Sequence, residues 1–134
     1  MPMNVVVGFT RSSEGRAALE RAKNESRMRG ARLVIVHSSR GGSHESAEDA
    51  AADTAELERV DLELSTAGID HEIRKLARGG TPADDVIAVA NESDDALIVI
   101  GLRRRSRVGK LMLGSNSQDI LLQADCAVLA VKPG

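Results

Sequence analysis

The sequence predicts a doubly wound α/β domain: a five-stranded, mostly parallel sheet with helices on both faces, spanning residues 1–134 as one unit. Three observations predict it. Five short apolar runs recur along the chain, at residues 3–9, 32–37, 70–77, 96–100 and 127–131. Most of them are near-continuous Val, Ile, Leu and Ala, the pattern of strands buried on both faces of a parallel sheet, whereas the third alternates and suits an edge. The intervals between runs carry helical periodicity, which gives the order β-α-β-α-β-α-β-α-β with right-handed crossovers.

Each helix has its own start and stop signals. Residues 12–29 form the first, capped by Ser12 or Ser13, with Ala17, Ala18, Ala22 and Met28 as its inner face and Gly30 ending it in a left-handed conformation. Residues 46–67 form the second, where Leu57, Val60 and Leu64 recur at spacings of three and four and Gly68 follows as a stop. Thr81-Pro82 opens the third: threonine caps, proline sits where its missing N–H has no partner to lose, and Asp84 and Asp85 complement the dipole. Ser115 opens the fourth, with Ile120, Leu121 and Ala124 facing inward. The stretch 38–45 (SSRGGSHE) is a polar, glycine-rich surface connection.

Composition narrows the function classes. The chain is 42% hydrophobic and 28% charged, the balance of a globular domain, and its net charge of −2 argues against a generally basic nucleic-acid binder. Phe9 is the only Phe, Tyr or Trp, so a stacking platform for bases is not expected and nucleic acid is not an expected partner. No apolar run reaches the roughly 18–20 residues that span a bilayer. The opening Met-Pro-Met-Asn lacks the features of a signal peptide, and Cys126 is the single cysteine, so a cytoplasmic setting is expected. His37, His44 and His71 show no metal-ligand spacing. Cys126, at the start of the last strand, reads as core filler, and Met28 and Met112 fit core or interface packing.

The chemistry concentrates in residues 101–115 (GLRRRSRVGKLMLGS), between a buried strand and a helix start. A helix N-terminus offers unpaired backbone N–H groups and a favourable dipole to an anion. If strand 1 is central with strand 4 beside it, the loops 8–13 and 101–114 face one crevice, where ligands of such sheets bind. Neither a Walker loop nor a dinucleotide fingerprint is present: Gly109-Lys110 is followed by Leu111, and Gly8-Phe9-Thr10-Arg11 lacks the closely spaced glycines. The basic residues Arg103, Arg104, Arg105, Arg107 and Lys110 read either as phosphate contacts, as a dock for an acidic partner, or as a solvated loop.

Several motifs together resemble the universal stress protein family over essentially the whole chain. They are Val5-Val-Val-Gly8, Leu33-Val-Ile-Val-His37, Gly79-Gly-Thr-Pro82 and the ending Ala124-Asp-Cys-Ala-Val-Leu-Ala-Val-Lys132. The nucleotide-binding branch of that family carries glycine, two residues, glycine, nine residues and then Gly-Ser/Thr, and Gly101, position 104 and Gly114-Ser115 keep this spacing. There are two departures: Arg104 replaces the second glycine, and Thr10 stands where such members usually carry an aspartate. Arg104 either obstructs a phosphate with its Cβ or supplies a bidentate contact of its own.

The resemblance implies a Rossmann-like fold of the adenine nucleotide alpha hydrolase type and a stress-response regulator that binds ATP or AMP. Adenine would lie near Val36, with ribose and phosphates along Thr10, Ile100, Gly101, Arg104, Gly114, Ser115 and Asn116. Ser115 either serves a phosphate or caps its helix. A protein carboxylate is not expected to hold Mg. The resemblance also implies a homodimer through the last strand, Ala127–Val131, whose apolar edge calls for covering. Efficient catalysis is not expected; the alternatives are a nucleotide-free homodimeric interaction module and, behind it, a slow ATP hydrolase.

Overall fold

A computed structural model of the chain describes residues 3–39, 46–76, 80–104 and 109–133. Ala77, Gly79, Arg105, Arg107 and the part of the polar connection that holds His44 lie outside the described residues. The elements run β1 (Asn4–Gly8), α1 (Ser13–Arg29), β2 (Arg32–Ser38), α2 (Ala47–Thr66), β3 (His71–Leu76), α3 (Pro82–Ala90) and β4 (Ala96–Gly101). A short antiparallel hairpin follows, β5 (Arg103–Arg104) with β6 (Leu111–Met112), then α4 (Ser115–Gln123) and β7 (Ala127–Val131). The hairpin is an addition to the sequence expectation.

The main sheet has the order β3-β2-β1-β4-β7, with every pair parallel. β1 is central: Val6 lies between Val34 on one side and Ile98 on the other. Strand alternation then builds two cores. Val5 and Val7 face Ala18 and Ala22 of α1 and Leu57, Val60 and Leu64 of α2. Val6 faces the opposite way, toward Val86 and Val89 of α3 and Ile120 of α4. The chain leaves β1 for β2 in one direction and leaves β4 for β7 in the other, so the loops after β1 and β4 part at the carboxyl edge of the sheet.

Local chemistry sets the helix ends. The Ser12 hydroxyl accepts from the Gly15 N–H at 3.1 Å, and Thr81 and Asp84 form a reciprocal capping box ahead of Pro82. Gly30 closes α1 at φ 61°, a left-handed value that favours glycine.

Two inward assignments are corrected. Met28 is 68% exposed, because it stands six residues past Ala22, about 120° round the helix from the buried stripe. Glu25 takes the inner position instead, with its two oxygens each 3.0 Å from the guanidinium groups of Arg21 and Arg29. Leu121 is 48% exposed, since its neighbour Ile120 holds the buried line of α4. Met112 is also exposed, on β6.

The two edges of the sheet differ. On β3, Glu72 meets Arg32 of β2 at 3.3 Å and Arg74 meets Glu92, after α3, at 2.7 Å, so the edge strand carries charged side chains. Charged side chains along an edge strand discourage pairing with another chain. β7 is Ala-Val-Leu-Ala-Val throughout, with Ala127 and Ala130 exposed.

His71, on β3, has an acceptor at each ring nitrogen. Nδ1 lies 2.8 Å from the Ile69 carbonyl and Nε2 lies 2.6 Å from the Asp61 carboxylate. Only the imidazolium donates from both nitrogens. Burial opposes that charge, but the carbonyl of Ile69 and the carboxylates of Asp61 and Asp70 outweigh it, and the His71 pKa stands above the ordinary 6.5. A raised folded-state pKa adds stability that is complete below the unfolded value and is lost as pH rises through the folded one. Urea unfolding should therefore show the wild-type advantage over Asp61→Asn to be larger at acidic than at alkaline pH. An advantage that is flat or grows with pH would refute the assignment.

Candidate functional site

Where the loops after β1 and β4 diverge, the structure opens a cleft of about 400 Å³. Its floor is the carboxyl edge of the central strands, at Gly8, Val36, Val99 and Ile100. One wall is loop 1 with the first turn of α1, contributing Thr10, Ser12, Glu14 and Gly15. The other is the hairpin and the first turn of α4, contributing Arg103, Gly114, Ser115, Asn116 and Ser117. Pro82, Ala83 and Val86 of α3 add an apolar side. The volume lies within the range of small-molecule sites, about 300–1,000 Å³.

Glycine makes this close assembly possible. A Cβ on Gly101 would fall on the Glu14 carbonyl, so the first turn of α1 rests directly against the end of β4. A Cβ on Gly114 would come within 2.9 Å of Nη2 of Arg103. In loop 1, a Cβ on Gly15 would strike both the hydroxyl and the carbonyl of Thr10. The Thr10 hydroxyl shares a 2.9 Å hydrogen bond with Ser12, and the Phe9 N–H donates to the Val36 carbonyl at 2.8 Å, which ties loop 1 to the end of β2.

The anion-receptive element is α4. Gly114, in extended conformation, occupies its N-cap, and among the described residues no side chain caps the helix. The first amide taken up within the helix is that of Gln118, which donates to the Gly114 carbonyl at 2.9 Å. The N–H groups of Ser115, Asn116 and Ser117 therefore stand in the first turn without an intrahelical partner, beside the cleft. Ser115 is the first helical residue and not the cap, so the capping role that competed with a ligand role falls to a residue without a side chain.

Of the residues proposed from sequence, Thr10, Val36, Ile100, Gly101, Gly114, Ser115 and Asn116 all line the cleft. Arg104 does not. It pairs with Leu111 across the hairpin, while Arg103, paired with Met112, turns to the cleft instead. Sequence reasoning also missed Glu14, a carboxylate in the lining, and Gly15, which makes room for Thr10. The helical spacing around Gly15 gave no sign of either.

An ionic cluster fixes the outer rim. Arg11 Nε lies 2.5 Å from Asp53 of α2, and its Nη2 lies 3.3 Å from Asp49. The other Asp53 oxygen is 3.1 Å from Nε2 of His37, whose ring meets Phe9 edge-on with centroids 5.7 Å apart. Burial alone would raise the Asp53 carboxyl, but Arg11 and His37 outweigh it and hold it below the ordinary 3.8. Among the described residues no group of three or more His, Cys, Asp or Glu side chains is placed to hold a metal ion.

A model of the universal stress protein family matches residues 1–132. The chain is 38% identical over 130 residues to a universal stress protein of Mycolicibacterium smegmatis, covering 96% of this chain and 97% of that one. Its structure matches that of a universal stress protein from Archaeoglobus fulgidus with a TM-score of 0.82 at 34% identity, covering 98% of this chain and 100% of the other. A structure of the A. fulgidus universal stress protein in complex with dAMP matches with a TM-score of 0.68 at 30% identity, over 98% of each chain.

The contact at Gly101 makes a direct prediction. Gly101→Ala should force α1 away from β4, costing about 1–3 kcal/mol, the usual range for overpacking. Thermal and urea unfolding should report that loss; unchanged stability would show that the two elements are not in contact.

Proposed function

Since the chain belongs to the universal stress protein family, we propose that it is a regulatory protein that binds an adenine nucleotide, AMP or ATP, between the loops after β1 and β4. The observation that carries this reading is the uncapped first turn of α4 facing a glycine-walled cleft. Bare amides and a positive helix end favour a phosphate. The apolar surfaces of Val36, Ile100, Ala83 and Val86 suit a purine, and the backbone at the end of β2 provides hydrogen-bonding groups for its edge. The A. fulgidus relative that binds dAMP supports the same ligand class here.

In this reading Thr10, Gly101, Gly114, Ser115 and Asn116 contact ribose and phosphate. Calorimetry with AMP and ATP, together with mass spectrometry of ligand released from freshly purified protein, tests it. Measurable heat with at least one nucleotide is expected. No heat with either, and no nucleotide in the released fraction, would overturn it.

A second reading, a nucleotide-free interaction module, is favoured by one observation: the Thr10 hydroxyl is engaged by Ser12 and packed on Gly15. In both readings the protein acts as a homodimer through β7. The charged β3 edge opposes strand pairing, while the apolar β7 edge invites it. Light scattering on the eluting peak should give twice the 14.2 kDa chain mass. A monomer at micromolar concentration would refute the dimer.

A further inference from the structure

We infer that Arg103, and not Arg104, is the residue by which this cleft selects a phosphorylated ligand over its uncharged nucleoside. The inference rests on the nucleotide reading above and assigns its specificity to one side chain. Successive residues of a strand point to opposite faces, so the pairing of Arg103 with Met112 and Arg104 with Leu111 sends the two guanidinium groups to opposite sides of the hairpin. Arg104 lies toward the turn, where its Nη1 would be 3.4 Å from a Cβ on Gly109, a residue at φ 79°. Arg104 is exposed and is not among the residues that line the cleft. Arg103 lines the cleft and is the one cation among its described lining residues.

The guanidinium of Arg103 flanks Gly114: a Cβ there would meet Nη2 at 2.9 Å, Cζ at 3.7 Å and Nε at 3.8 Å. Gly114 is the N-cap of α4, so the fork of Arg103 and the free amides of Ser115 and Asn116 stand side by side. Among the described residues no ion pair joins Arg103 to a carboxylate. A planar guanidinium fork beside the first-turn amides of α4 matches the several oxygens of a terminal phosphate, and an uncharged 5′-hydroxyl uses few of these donors. The missing second glycine of the loop thus costs the site little, because Arg104, which replaces it, does not line the cleft. The cation that counts is its neighbour.

The test measures AMP and adenosine affinities by calorimetry for wild type, Arg103→Ala, Arg103→Lys and Arg104→Ala, with circular dichroism melts checking the fold. Arg103→Ala should weaken AMP binding about 10- to 100-fold, the loss expected for charge-assisted hydrogen bonds, and leave adenosine within about twofold. Its AMP affinity should also depend less on salt. Arg103→Lys, which keeps the charge without the fork, should fall between. Arg104→Ala should change neither affinity. Equal losses for AMP and adenosine in Arg103→Ala, or a selectivity loss in Arg104→Ala instead, overturn the assignment alone. Should Arg103→Ala fail to fold, an unchanged AMP-to-adenosine ratio in Arg103→Lys overturns it. Wild-type protein that binds neither compound overturns the nucleotide reading and this inference with it.

Discussion

The contact on which the rest of the site depends is that between the end of β4 and the first turn of α1. At Gly101 the backbone of β4 approaches the Glu14 carbonyl so closely that no side chain fits between them. That approach brings loop 1 and the hairpin to opposite walls of one cleft. It follows from the sheet order, because the strands on either side of the reversal send their connections to different faces. α1 packs on the face of Val5 and Val7, and α4 on the face of Val6. The gap between their starts is the cleft. Residues widely separated in sequence, such as Thr10, Gly101 and Ser115, meet there because the topology leaves them no other place.

Much of this was legible because its causes are local. Ser12, Gly30, Thr81 and Pro82 mark helix ends through hydrogen bonds and dihedral preferences that reach no further than four residues. The Val/Ile runs mark buried strands through composition alone, and β7 falls on the run 127–131. What stayed hidden required tertiary information. Met28 and Leu121 are apolar, yet helical phase relative to the sheet leaves both in solvent. The exchange of Arg104 for Arg103 in the cleft depends on β5 pairing with β6, and a two-residue ladder has no periodicity to detect. Thr10 read as a lost carboxylate, whereas the structure shows it filling the space that glycine leaves at position 15.

The sheet edges show how the same architecture treats two similar problems differently. Both β3 and β7 end the sheet and leave backbone groups unpaired on one side. β3 carries Glu72 and Arg74, ion-paired with Arg32 of β2 and with Glu92 after α3, while β7 carries nothing charged. Partly exposed ion pairs of this kind add little stability, typically below about 1 kcal/mol each. Their effect is to keep another strand away. The absence of any charge within β7 is therefore informative about association, since folding alone would tolerate charges on either edge.

The same argument applies to the rim cluster. Arg11 is partly exposed, as is Asp49, and solvent screening keeps the energy of their pairing small. The geometry is worth more than the energy. Asp53 receives Arg11 on one oxygen and His37 on the other, while the ring of His37 meets Phe9. Those four residues come from loop 1, β2 and α2, so the cluster links loop 1 to two elements on the side of the cleft away from Gly101. Loop 1 is thus held at both ends, by packing at Gly101 and Gly15 and by ions at Asp53. A wall fixed at two points can present Thr10 and Ser12 in one arrangement, and such preorganisation spares a ligand the entropy of ordering the loop.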